Sequence, residues 1–327
     1  MKMEEIISLL KKSDAILVTS HVNPDGDAIG ALLAMGLALK GLNKRVTLYN
    51  ESPIPAVYRF LPAVETVVSE ISAGRRFDAA VVLDCGDITR IGERCALLED
   101  IPQVVNIDHH LTNTGFGHHR IIDTEACAST EIVFRLLKRM EIPIDSDIAT
   151  SIYTGILTDT GSFRFANTNA AAFDICGEMV QRGVIPHEVA RHVYGTYSLG
   201  RIKLLNMALD SLEISFNGKL SLMTLTRDMF EETGTQLEDV DGLINYAKRI
   251  EDIRLAALIV ETRNGPSGSA RGDVRHYHVS LRSDGSVDVA AIAASYGGGG
   301  HATAAGFGIE ASLADLKSRI IDWSKGL

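Results

Sequence analysis

The chain has 327 residues, 46% of them hydrophobic and 23% charged, with a formal net charge of -10. That composition supplies enough apolar surface for a core, leaves room for two domains, and excludes an intrinsically disordered chain. The acidic balance argues against a protein that coats nucleic acid by neutralising phosphates, although bound divalent cations would reverse the sign of an acidic pocket and admit a small anionic substrate.

In chain order, Glu4, Glu5, Lys11, Lys12 and Asp14 interrupt any apolar run at the N-terminus, so no signal peptide is read there and a cytoplasmic protein is expected. The run Ala15-Ile16-Leu17-Val18 predicts a strand near 14–20, followed by a helix near 27–41 and strands near 44–50, 78–83 and 103–107. The nearly apolar segment from Ala28 to Leu39 is too short to span a bilayer and contains Gly30 and Gly36, which predicts a buried helix and no membrane anchor. Continuous apolar strands alternating with helices imply an α/β fold, with a parallel sheet covered by helices on both faces. Ligands of such sheets bind outside the carboxyl ends of the strands.

Helical patterns from Ala126 to Met140, Asp145 to Leu157 and Asn169 to Arg182 complete a first domain, residues 1–185. A helical connector over 186–210 follows, with helices from Glu188 to Tyr194 and Leu199 to Leu209. Beyond it, Asn217-Gly218 between two apolar runs predicts a hairpin, and further strands are expected at Arg254 to Glu261 and His276 to Leu281. Residues 211–327 therefore read as a smaller α+β domain, in which the glycine-bearing segment Arg263 to Asp273 reads as a mobile loop.

Three predicted strands run into groups that bind metals. His21, Asp25 and Asp27 follow the first, on a turn where Pro24 and Gly26 bend the chain; Asp84 follows Val81-Val82-Leu83; and Asp108-His109-His110 follows Val104-Val105-Asn106-Ile107. Capping of the next helix would explain Asp25 or Asp27, but not His21 as well. Asp159 lies where a helix should return toward the sheet. Five crowded aspartates without counter-charges would repel one another, and divalent cations remove that penalty. Cys85, Cys95, Cys127 and Cys176 are widely spaced with no C-x-x-C pair, so they are read as reduced, buried thiols. Arg90 and Arg164 are read as solvated or ion-paired, and His118, His119, His187, His192, His276 and His278 as structural or surface residues.

His21-x-x-Pro24-Asp25-x-Asp27, Asp84, Asp108-His109-His110 and Asp159 together resemble, in order, the four motifs of the DHH phosphoesterases. Arg282, the run Gly297-Gly298-Gly299-Gly300-His301 and Ala304-Ala305-Gly306 resemble the DHH-associated domain of the RecJ-like branch. The short two-domain layout is most similar to the oligoribonuclease/pAp phosphatase group. One departure is Ala31, where many relatives carry serine.

The resemblance implies one metal on His21, Asp25 and Asp84, and a second on Asp27, Asp84, His109 and Asp159, with Asp84 bridging. It also implies that His110 faces the scissile phosphate as charge stabiliser or proton donor, while Asp108 supports the ligand histidines. Arg282, Gly298, Gly299, Gly300 and His301 would bind substrate, glycine backbone admitting an anion closely. Mixed imidazole and carboxylate donors favour Mn²⁺ as both divalent ions. The activity implied is hydrolysis of short oligoribonucleotides to mononucleotides and of pAp to AMP, by an enzyme with no membrane partner and with a homodimer as one assembly open to it. A cyclic di-AMP or pApA phosphodiesterase is the neighbouring reading. A catalytically silent nucleotide-binding regulator is the reading from another class, and the full set of expected ligands weighs against it.

Overall fold

The computed structural model describes residues 2–72, 74–195, 197–262 and 274–326, so the expected loop from Arg263 to Asp273 lies outside the described residues. The chain divides into two compact units, Met1–Thr196 and Tyr197–Leu327.

The first unit runs α1 (Lys2–Lys12), β1 (Ala15–Ser20), α2 (Gly26–Gly41), β2 (Arg45–Tyr49), β3 (Val67–Val68), β4 (Ala79–Leu83), β5 (Val104–Asp108), β6 (His119–Ile122), α3 (Ser129–Arg139), α4 (Ser146–Asp159), α5 (Ala170–Gln181) and α6 (Pro186–Tyr194). All six strands are parallel, in the order β3-β2-β1-β4-β5-β6. β1, β4 and β5 are buried along their whole length, as continuous apolar runs require of a sheet covered on both faces. One face, with Ile16, Val18, Val81, Leu83, Val105 and Ile107, joins a core with residues from all six α-helices. On the other, Leu17, Ala80, Val82 and Val104 pack with Ile91 and Leu98 of two 3-10 helices and with loop residues rather than with α-helices. The reason lies in the β4–β5 crossover, where Gly86 and Gly92 interrupt any longer helical run.

Helix α2 is buried along almost its entire length, consistent with its uninterrupted apolar sequence. It packs closely on α4 because glycine lies at the crossing: a Cβ on Gly30 would stand 2.5 Å from the Ser151 carbonyl oxygen.

The second unit contains α7 (Leu199–Asp210), β7 (Glu213–Ile214), β8 (Leu220–Leu225), α8 (Arg227–Thr233), α9 (Ile244–Lys248), β9 (Leu255–Glu261), β10 (Val274–Ser283), α10 (Val289–Ala294), β11 (Gly299–His301), β12 (Ala304–Ser312) and α11 (Leu313–Trp323). Its mixed sheet has the order β11-β12-β10-β9-β8-β7. β7 and β8 form the antiparallel pair expected around Asn217-Gly218, where Gly218 takes a φ of 69°. One face packs on α10 and α11 through Val279, Leu281, Phe307, Val289 and Ile320. The opposite face packs on α7, α8 and α9 through Met223, Leu258, Leu204 and Ile244. The helices of the 186–210 stretch divide between the units: Val189 and Val193 of α6 enter the first core, and Leu204 and Ala208 of α7 enter the second. Among the described residues no helix is long and apolar enough to cross a membrane.

Candidate metal centre

The strand order progresses outward in opposite directions from β1 and β4, so the loops leaving their carboxyl ends part and open a crevice. His21 leaves β1 there. The turn after it is made by Asn23, with φ at 52°, whereas Gly26, expected to bend the chain, is the first residue of α2 with an ordinary φ. Gly26 is needed for another reason, since any side chain would collide with Thr158 of α4. Asp25 caps α2, its Oδ1 accepting from the amides of Asp27 and Ala28, each at 3.0 Å. Capping and proximity to His21 thus coexist at Asp25.

Asp84 follows β4 with φ at 52°, the left-handed region that costs a non-glycine residue about 1–3 kcal/mol. Its carboxylate is almost wholly buried and divides its oxygens: Oδ2 lies 3.4 Å from His21 Nε2, while Oδ1 lies 3.8 Å from His109 Nε2 and 3.5 Å from His110 Nδ1. Oδ1 also accepts from the Ser129 hydroxyl at 3.0 Å. Asp159, the last residue of α4, brings Oδ2 to 3.5 Å from His109 Nε2.

Three sets of donor atoms lie within 4.8 Å of one another: His21, Asp25 and Asp84; Asp27, His109 and Asp159; and Asp84, His109 and His110. The six residues read as metal ligands are thus brought together, with His110 beside them. Asp108 is buried and reaches the group through His110, whose Nδ1 donates to Asp108 Oδ1 at 2.7 Å; the Nδ1 of His109 instead lies 3.2 Å from the Ala126 carbonyl. The expected support of both histidines by Asp108 is therefore seen as a hydrogen bond to His110.

Several partners were not legible in the sequence. Asp27 sits across the N-terminus of α3, accepting from the amides of Ser129 (2.6 Å) and Thr130 (2.9 Å) and from the Thr130 hydroxyl (2.7 Å). Asn113 donates to Asp108 Oδ2 at 2.6 Å, and Asn167 donates to Asp159 Oδ2 at 3.1 Å. The Arg90 carbonyl accepts from Val22 at 2.7 Å, pinning the β4 loop to the β1 loop. The only hint in sequence was the small polar character of Ser129-Thr130 ahead of an apolar helix, which marks a helix start and not its partner.

Burial and the negative charges of Asp84 and Asp25 push the Asp27 carboxyl up to about 7. Burial and the neighbouring aspartates likewise hold Asp159 well above the usual carboxylate range. Burial also opposes ionisation of Asp84, but His21, His110 and His109 overcome it and hold Asp84 far below that range. Desolvation disfavours charge on His21, His109 and His110, yet the facing carboxylates raise all three above the ordinary imidazole value. No lysine or arginine is ion-paired to Asp25, Asp27, Asp84, Asp108 or Asp159 among the described residues. The buried Asn167 Oδ1 next to Asp159 has no hydrogen-bond partner there either. A nest of carboxylates with imidazole nitrogens interspersed and no lysine or arginine ion-paired to it among the described residues fits divalent cations, which neutralise the charge and accept both donor types.

The DHH family, N-terminal domain matches residues 15–156, and the DHHA1 domain matches residues 221–326. A protein of Thermus thermophilus named bifunctional oligoribonuclease and PAP phosphatase NrnA is 31% identical over 93% of this chain and 87% of its own length. The chain belongs to the DHH family. A Bacillus subtilis protein of the same name is 26% identical over 96% of this chain and 97% of its own. The crystal structure of an exopolyphosphatase-related protein from Bacteroides fragilis superposes with a TM-score of 0.89 at 25% identity, covering 99% and 96% of the two chains. RecJ of Thermus thermophilus in complex with Mn²⁺ shares the fold, with a TM-score of 0.56 at 15% identity over 100% of this chain and 55% of that one. The DHH chain is accordingly a hydrolytic phosphoesterase.

In the DHHA1 unit, the sheet pairs Arg282 with Ala304 and Ala304 with His301, which places Arg282, Ala304 and His301 in one row across β10, β12 and β11. Close packing of β11 on β12 demands glycine: a Cβ on Gly300, at φ 142°, would lie 2.5 Å from the Ala304 oxygen, and one on Gly298 would collide with Gly306. Gly299 has open space around it. Burial holds the Arg282 pKa below its ordinary value, and its Nη1 donates to the Leu281 carbonyl at 3.0 Å.

Proposed function

We propose that this DHH chain hydrolyses short oligoribonucleotides to mononucleotides and removes the phosphate of pAp to give AMP. The observation that carries the reading is the division of Asp84, one oxygen toward His21 and the other toward His109, between two donor sets in a buried crevice. The substrate class is supported by the relatives named above, which match this chain over most of their own length.

His21, Asp25 and Asp84 would hold one cation, and Asp27, Asp84, His109 and Asp159 a second, with manganese favoured by the mixed donors. Such ions supply Lewis-acid stabilisation of the phosphoryl oxygens and an activated water for in-line attack. The chain's own groups do the rest. Asp27 and Asp84 are held in place by the α3 N-terminus and the Ser129 hydroxyl, so their oxygens need little reorganisation on loading. Asp108, itself held by Asn113, fixes the Nδ1–H tautomer of His110, so the proton that ring exchanges with substrate resides on Nε2. Carboxylates around His110 keep it readily protonated, which suits it to offset phosphate charge or to protonate the leaving oxygen. Arg282 and His301, one strand apart on either side of a glycine-rich floor, supply donors for a terminal phosphate.

The test is a side-by-side assay with Mn²⁺ of an end-labelled trinucleotide, pAp, cyclic di-AMP and pyrophosphate. Turnover of the trinucleotide and pAp is expected. Rapid cleavage of pyrophosphate or cyclic di-AMP alone would overturn the substrate assignment.

A further inference from the structure

The open half of the second sheet carries an imidazole outside the row of Arg282 and His301. On β10, His278, Ser280 and Arg282 share one face, alternating with Val279 and Leu281 in the core beneath. Their β9 partners, Val260, Leu258 and Ala256, are covered by α7, α8 and α9. Their β12 partners are Gly308, Gly306 and Ala304, so beyond β10 the floor is nearly bare of side chains.

His278 does not stand over its own register partner. Its ring lies back along the strand onto Gly306, where a Cβ would come within 3.1 Å of Nε2 and 3.4 Å of Cε1. Gly306 belongs to the row next to Arg282, Ala304 and His301, and same-face rows lie roughly 7 Å apart. That spacing matches the reach from a nucleotide's phosphate to its base. The side chain stays exposed and makes no hydrogen bond or ion pair among the described residues. Burial on its packed side lowers its pKa, so the ring is neutral at pH 7. A purely structural role would not call for an exposed ring without polar partners. Glycine inside a strand marks close approach of another group, and at Gly306 these are this ring and the Val279 carbonyl oxygen, each 3.1 Å from where a Cβ would stand.

We infer that His278 is a specificity-determining residue whose imidazole, lying over Gly306, stacks against the base of the nucleotide whose phosphate is held by Arg282 and His301. The inference rests on the nucleotide substrates proposed above and adds the element that reads them. Stacking tolerates any base, because every base presents a π-face, so it would select nucleotides over other phosphoesters without selecting sequence.

The experiment compares the full-length wild type with H278A and H278F in Mn²⁺, on a trinucleotide, pAp and an abasic trinucleotide of the same backbone. H278A is expected to raise KM for both nucleotides roughly tenfold at unchanged kcat, and H278F to restore it. Cleavage of the abasic trinucleotide, which offers no ring to stack, should be unaffected and reports that the variant is folded. In EDTA, the Kd of a fluorescent trinucleotide should rise by the same factor in H278A. Unchanged KM and Kd in H278A, or equal losses on all three substrates, would overturn the inference. A wild type that cleaves neither the trinucleotide nor pAp would overturn the nucleotide reading, and this inference with it.

Discussion

Gly30→Ala should damage the metal centre from a position that touches no donor. The new methyl would lie 2.5 Å from the Ser151 carbonyl oxygen and 3.1 Å from the Gly155 amide, where ordinary contact begins at 3.4 Å. Both obstacles are backbone, so no rotamer change relieves the clash and α2 and α4 must separate by roughly 1 Å. Asp27 lies one turn before Gly30 on α2, and Asp159 one turn after Gly155 on α4, so the separation falls on two members of one donor set. Metal–ligand distances tolerate only about 0.2 Å.

Overpacking costs about 1–3 kcal/mol, in the upper part of that range at about 2–3 kcal/mol where both obstacles are backbone, and alanine's better helix propensity returns about 1 kcal/mol. The net loss of about 1–2 kcal/mol should lower Tm in EDTA by roughly 2–8 °C for a unit of this size. Mn²⁺ affinity measured by titration calorimetry should fall at least about tenfold. The matched control is Gly177→Ala on the exposed face of α5, where a Cβ meets nothing within 4 Å and Tm should hold or rise slightly. If Gly30→Ala melts like Gly177→Ala and binds manganese as the wild type does, the claim that the α2–α4 approach sets the donor geometry is wrong.

Asp84→Ala should abolish turnover and lose metal, because its carboxylate serves two donor sets, whereas His110→Ala should lose turnover and keep most metal; equal metal loss by elemental analysis would contradict the separate roles. Metal-free protein should lose stability as pH rises from about 4 through about 7. The Asp27 folded pKa lies above the unfolded one, so its contribution is complete below the unfolded value and lost on ionisation, at most about 4 kcal/mol. The raised imidazoles of His21 and His109 act in the same direction at higher pH, and excess Mn²⁺ should flatten the slope. Urea unfolding in EDTA between pH 5.5 and 8.5 checks this, and stability that climbs with pH would refute it. Thr130→Val removes the hydroxyl bond to Asp27 and should weaken Mn²⁺ binding several-fold while leaving the His110–Asp108 pair intact, read by calorimetry and by the pH profile of any residual activity.

The elements and donors that were legible share one property: their signal is local. Continuous apolar runs ending in His21, Asp84 and Asp108 place acidic groups at strand ends, and parallel sheets collect ligands there. The two-residue β3 and the edge strand β6 carry no such run, and His119-Arg120-Ile121-Ile122 reads equally well as loop. Long-range partners left no trace. Nothing near Asp27 announces that its carboxylate will meet amides just over a hundred residues away on α3, and the left-handed backbone of Asp84 follows from tertiary fit rather than from its neighbours in sequence. Gly26 shows the same limit from the other side: its glycine was read as a bend, but what requires it is Thr158 on a helix far along the chain.

These particulars explain why the cluster persists in a fold that it locally disfavours. Asp84 holds a conformation costing about 1–3 kcal/mol, and Asp27 and Asp159 are carboxyls pushed toward neutrality by burial and by each other. Hydrogen bonds from Ser129, Thr130 and Asn167 offset part of that cost and fix where the oxygens point. No lysine or arginine is paired with these carboxylates among the described residues, so within the cluster the counter-charge comes only from His21, His109 and His110. A site built with directional donors and with no lysine or arginine among its partners is pre-organised for a charge that arrives from solution, so metal binding should stabilise the first unit most at the pH where the imidazoles have lost their protons and the carboxylates repel one another.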